Sequence, residues 1–114
     1  MFYYHPSYSA LTLPERHRFP IDKYRMLKQL VSNFIDEQHF ITPQQATRAQ
    51  LALCHNPEYV DAFLTGSLDS KAIKKMGFPW STELVERTLY SVGASIQGAE
   101  FALQQGAAFN LSGG

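Results

Sequence analysis

A chain of 114 residues is one domain at most, and with 45% hydrophobic and 13% aromatic residues it is globular rather than disordered. Its 10 basic and 10 acidic residues cancel, which argues against a nucleic-acid or anionic-membrane partner, since either needs a basic excess. Cys54 is alone, so no internal disulfide and no CxxC metal or redox pair can form, and a cytoplasmic protein is the expectation.

The opening MFYYHPSY lacks the basic region and apolar run of a signal peptide, and no stretch reaches the ~18 apolar residues of a membrane span. Residues 2–5 are apolar and aromatic and read as a strand that Pro6 ends. Ser7 to Pro20 is a polar loop carrying Arg16-His17-Arg18, long enough to suggest a functional role. Ile21 to about Asp36 reads as a helix with Asp22 as N-cap; Tyr24, Leu27, Val31 and Phe34 form one face, with Leu30 beside it. Thr42-Pro43-Gln44-Gln45 has the cap, proline and capping-box order of a second helix, fading near Gln50. Asn56-Pro57 starts a third, with Tyr59, Val60, Phe63 and Leu64, and Gly66 stops it. Ser67 or Asp69 caps a short fourth, which ends at Gly77 after Lys74-Lys75.

Phe78-Pro79-Trp80 is a rigid aromatic turn into the longest helix, about 82–105. Ser81 is its N-cap, Gly106 its stop, and Val85, Leu89, Val92, Ile96, Ala99 and Leu103 its apolar stripe. Ala94 and Gly98 mark where a neighbouring element can approach closely. Residues 107–111 read as a second strand, followed by Ser112-Gly113-Gly114. The expected fold is therefore a predominantly helical α/β fragment: one domain over 1–114, two short strands (2–5 and 107–111) and four to five helices. A loop after a parallel strand is where such folds place their chemistry.

Nucleophile-elbow, phosphate-loop, dinucleotide and zincin motifs are all absent. His5, His17, His39 and His55 follow no ligand spacing. Several segments in order do resemble one family: His5-Pro6, Leu13 to Pro20 with Lys23-Tyr24, His55-Asn56-Pro57-Glu58-Tyr59-Val60, Thr65 to Leu68, Gly77 to Ser81, and Asn110 to Gly114. Together they resemble the N-terminal part of a bacterial histone-deacetylase-like (AcuC/AphA-type) zinc amidohydrolase.

The resemblance implies an arginase/deacetylase fold with zinc at the carboxyl ends of a parallel sheet, acting on acyl-lysines or acylpolyamines. It also implies that the family's histidine pair, zinc ligands and tyrosine come after Gly114. Hence no catalytic, cofactor-binding or metal-binding residue carries over, and this chain alone is expected to be no enzyme. What carries over is a substrate-channel rim or interaction surface: His5, Arg16, His17, Arg18, Phe78, Pro79 and Trp80. The acidic substrate-gripping residue of some members has no clear match in Gly77 to Ser81. Beside these readings stand plainer ones: Arg16-His17-Arg18 as a solvated loop, Trp80 and the long-helix stripe as core.

Two strands make a poor sheet, and such a fragment exposes apolar faces and strand edges. The expected remedy is a homodimer, with the long helix as first interface and a strand edge second, or else a completing protein chain.

Overall fold

Phe2–Tyr3 (β1), Phe40–Ile41 (β2) and Phe109–Asn110 (β3) form a parallel sheet of strand order β2-β1-β3, in a computed structural model that describes residues 1–113. Gly114, the last residue of the expected glycine pair, lies outside the described residues. Phe2 is in register with Phe40 and Phe109, and Tyr3 with Ile41 and Asn110. Because side chains alternate along a strand, the three phenylalanines share one face; the Phe2 ring lies 5.6 Å from Phe40 and 4.9 Å from Phe109.

Three strands replace the two expected, and the two that were expected are shorter than read. Phe40–Ile41 escaped the reading because a two-residue strand has no period to detect. Residues 4–5 leave the ladder because His5 turns the chain into a 3-10 turn, Pro6–Ser9. The pairing reaches slightly past the strands, with Tyr4 N donating to Ile41 O (3.1 Å) and Leu111 N to Tyr3 O (3.0 Å).

Five helices follow: α1 (Lys23–Val31), α2 (Arg48–Leu51), α3 (Pro57–Thr65), α4 (Ser70–Met76) and α5 (Thr82–Gln105). The connection from β1 to β2 runs through α1, and that from β2 back past β1 to β3 runs through α2–α5. Right-handed crossovers in opposite directions put these on opposite faces. The contacts agree: Lys28 of α1 sits 3.9 Å over the Phe40 ring, whereas Tyr3 on the other face reaches Gln97 of α5.

The caps of α3, α4 and α5 are those expected. Asn56, Asp69 and Ser81 accept from the backbone N–H of Glu58, Ala72 and Leu84, and Gly66 and Gly77 close α3 and α4 in the left-handed region. Two starts differ. Asp22 precedes α1 but makes no side-chain cap bond, and the helix ends at Val31, short of Asp36. Thr42 caps nothing: Thr47 does, in a capping box with Gln50, and residues 42–46 lie extended against α5. There Ala46 N donates to Leu89 O (2.8 Å), and the Gln97 amide holds both Gln44 N (3.2 Å) and Gln44 O (3.1 Å). A tertiary hydrogen-bond set outcompetes the local helix signal.

The core is two joined clusters on the α5 side. Leu11, Phe63 and Leu84 gather Phe78, Trp80 and Val85; Ala46, Leu51 and Val60 gather Leu89, Val92 and Ile96. The α5 stripe is thus core up to Ile96, and its far end, Ala99 and Leu103, is exposed, Leu103 at 89%. No helix among the described residues is long and apolar enough to cross a membrane.

Candidate functional site

Strand order β2-β1-β3 reverses its winding between β1 and β3, as doubly wound sheets do, and in such sheets the crevice lies outside the carboxyl ends of the two strands at the reversal. The chain leaves β1 through His5 into the 3-10 turn, and leaves β3 through Leu111 and Ser112. Asn110 joins the two exits. Its Oδ1 accepts from the Tyr8 hydroxyl (3.2 Å) and Ser112 N (3.0 Å), and its Nδ2 donates to Ser91 O and Ser95 Oγ (3.0 Å each). Both lone pairs and both protons of the amide are used, which also fixes which way it points. The Ser112 hydroxyl pairs with that of Ser91 at 2.7 Å.

Tyr8 is fully buried, and burial pushes its phenol up to about 12, against the smaller opposing pulls of Ser112 and Arg87. It is a neutral donor throughout the physiological range. Arg87 donates from Nε to Tyr8 O (2.9 Å) and lies 4.8 Å above the Tyr24 ring and 5.5 Å above Phe19. His5 stacks on Tyr90 with ring centroids 3.6 Å apart, and its Nδ1 accepts from Ser7 N (3.0 Å). Burial lowers the His5 pKa from 6.5, with Glu86 partly opposing.

The other sequence-derived residues form a second patch. Arg16 and Arg18 are exposed, as a solvated loop requires, but His17 is tied down. Its Nδ1 accepts from Phe19 N (3.2 Å), so the proton sits on Nε2, which donates to Gly77 O (3.0 Å). Its ring stacks on Phe78 at 5.3 Å. Pro79 is exposed, while Trp80 turns inward and donates from Nε1 to Phe63 O (2.7 Å), so its indole belongs to the core and not to a rim. An aromatic row links the two patches: His17, Phe78, Phe19, Tyr24 and Tyr8, with neighbouring centroids 5.0 to 6.3 Å apart.

Tyr8, Tyr24, Arg87 and Asn110 were not among the sequence-derived candidates. The Asn-Leu-Ser run after β3 was the available signal, since an asparagine accepting from the N–H two residues on makes a side-chain turn. Among the described residues, no three His, Cys, Asp or Glu side chains lie close enough to hold a metal ion. These residues therefore supply no ligand set for the zinc that the resemblance implies.

Residues 17–114 match the histone deacetylase domain. The chain belongs to the histone deacetylase family. It is also 43% identical, over 113 residues, to an uncharacterized protein of Picosynechococcus sp.. That alignment covers 97% of this chain and 37% of the relative, so the chain spans little more than a third of the relative's length. The family match begins at His17, inside the tied loop, and takes in the aromatic turn and the crevice residues of β3. Within this deacetylase-family chain, the crevice groups are spent on one another. Their evident work is to fix the turn at Ser112-Gly113 relative to β1.

Proposed function

We propose that this chain is a non-catalytic, truncated histone-deacetylase-like module, one domain over 1–114, that associates with itself and serves a binding or structural role. It corresponds to the N-terminal portion of an arginase/deacetylase fold, and the lone Cys54 favours work in the cytoplasm. The observation that supports the reading is the Asn110 network, in which the Tyr8 phenol, the Ser91, Ser95 and Ser112 hydroxyls and the Asn110 amide are engaged with one another and tie the two strand exits together. His5, Arg16, His17, Arg18, Phe78 and Pro79 remain as an interaction or channel-rim surface. The test is incubation of the purified chain with an acetyl-lysine peptide, alongside metal analysis. No turnover and no stoichiometric zinc are expected; turnover that a chelator abolishes refutes the proposal.

A second reading is favoured by the 37% coverage of the relative. In it the chain is the first segment of a zinc-dependent deacetylase, for acetyl-lysine or acetylpolyamine, completed by residues or a chain not present here. Co-expression with the remainder of the Picosynechococcus protein separates the two. Restored, chelator-sensitive turnover supports the second reading; an inert mixture supports the first.

A further inference from the structure

Among the described residues, α1 is the one helix on the sheet face opposite α5. On that helix Tyr24 is buried, but Met26, Leu27 and Leu30 are 59%, 39% and 58% exposed, and Phe34 just past its end is 72% exposed. A groove of about 830 Å³ runs alongside, between Met26, Leu27 and Leu30 on one wall and Leu111 on the other. Leu53 and Leu103 are equally open, but each stands singly on a separate element, which is ordinary. Three neighbouring apolar side chains on one helix face, continued by Phe34 just past its end, are not ordinary. A parallel sheet is normally covered on both faces.

The same segment is electrically polarised. Lys23 and Arg25 lie at its start, Asp36 and Glu37 at its end, and all four are exposed. Asp22 lies 3.9 Å from Arg25, and Glu37 is taken up by Lys28 at 2.9 Å. Among the described residues neither Lys23 nor Asp36 has an ion-pair partner; the exposed Lys23 ammonium rests 5.0 Å over the Tyr24 ring and 5.5 Å over Phe19, with no carboxylate beside it. Residues 23 and 36 are symmetric about the midpoint between Gln29 and Leu30, which is also the middle of the apolar patch. A segment basic at one end, acidic at the other and apolar between is self-complementary when two copies run antiparallel.

We propose that this face is where two copies of the chain meet. Helix α1 packs against its symmetry mate about a two-fold axis beside Leu30. Lys23 of each copy faces Asp36 of the other, and each Phe34 ring enters the other copy's groove near Met26. The contact is isologous, as a two-fold requires, and closes without leaving an open end. This inference rests on the self-association proposed above. It moves the contact away from α5, whose stripe is already spent in the core.

The test is light scattering and sedimentation across a concentration series for the 114-residue chain and five variants, each checked by circular dichroism. The wild type is expected to dimerise. Leu30→Glu, at an exposed position where folding is insensitive, sets two carboxylates across the axis and should weaken the dimer roughly a hundredfold. Lys23→Glu and Asp36→Lys should each weaken it severalfold at low salt, and the double charge swap should restore it. Leu103→Glu should change nothing. A monomeric wild type, a dimer indifferent to Leu30→Glu, or a charge swap no better than its single variants overturns the proposal. Loss of dimer on Leu103→Glu removes this face while leaving self-association standing. Chelator-sensitive turnover by an α1-dependent dimer does the reverse, sinking the non-catalytic reading and sparing the face.

Discussion

Adding one methyl group at Gly93 should cost the fold several kcal/mol, whereas the same change at Gly98 of the same helix should not. A Cβ there would run into the Gln44 carbonyl oxygen and come within 2.9 Å of Ala46 N and 3.0 Å of the Gln44 carbonyl carbon. All three atoms are backbone, so no rotamer change relieves the clash, and residues 43–46 must withdraw by on the order of 1 Å to reach ordinary contact. That withdrawal breaks the Ala46 N to Leu89 O bond (2.8 Å) and strains both Gln97–Gln44 bonds. Losing them costs about 1 kcal/mol each, and overpacking adds ~1–3 kcal/mol. A glycine-to-alanine change inside a helix returns only ~1 kcal/mol. The net expectation is a loss of about 3–5 kcal/mol, a large part of the ~5–15 kcal/mol that holds a domain folded. Gly98→Ala is the control. Its Cβ would sit 3.7 Å from Ala108 and Tyr3, an ordinary contact, so it should gain ~0.5–1 kcal/mol. Urea unfolding of the three proteins, with unchanged slopes, reads the signs directly. A Gly93→Ala protein as stable as wild type, or a Gly98→Ala protein equally damaged, would refute the close approach of residues 43–46 to α5.

Three further outcomes are expected. Asn110→Asp puts an oxygen where Nδ2 now donates to Ser91 O and Ser95 Oγ, so it should destabilise by about 2–4 kcal/mol, while Asn110→Gln, too long for the site, should not rescue it; equal melting of Asn110→Asp and wild type at neutral pH would count against the saturated amide. Tyr8 stays neutral in the fold up to about pH 12 but ionises near 10 when unfolded, so the unfolded state holds fewer protons in between and stability should fall from about pH 10 to about 12. The fall should be shallower in Tyr8→Phe, and parallel pH profiles for the two proteins would contradict it. Trp80→Phe leaves the Phe63 carbonyl without its 2.7 Å donor and should cost ~1–2 kcal/mol with little change in the rim; a larger effect on surface chemistry than on the unfolding midpoint would place the indole outside the core.

The helix ends that could be read from sequence are those whose caps are satisfied locally. Asn56, Asp69 and Ser81 each close their own first turn, so the residues carry the whole signal. Thr42-Pro43-Gln44-Gln45 and Thr47-Arg48-Ala49-Gln50 show the same threonine-to-glutamine spacing, yet only the second caps a helix. The choice was made by α5, which takes the backbone of Gln44 and Ala46 for itself. Gly93 and Gly98 are equally small, and only the path of residues 43–46 makes the first the contact point. The crevice was hidden for a similar reason. Asn110, Tyr8 and Arg87 come from an end of the chain, a 3-10 turn and a helix, and nothing local announces that register will bring them together. His5, His17 and Phe78 were visible only because whole segments resembled a family.

The faces of α1 and α5 state the matter most sharply. Leu27, Leu30 and Phe34 follow the same helical spacing as Leu89, Val92 and Ile96, so periodicity assigns both sets to a core. Their fates differ because the crossover from β2 to β3 carries four helices to one side of the sheet, while that from β1 to β2 carries one to the other. On the crowded side α2 and α3 close over the α5 stripe; on the other, α1 rests on the Pro6–Ser9 turn and reaches the sheet at Phe40, and turns most of its apolar face outward. Amphipathic spacing says that a helix has a face to bury. The handedness and number of crossovers decide whether this chain supplies what buries it.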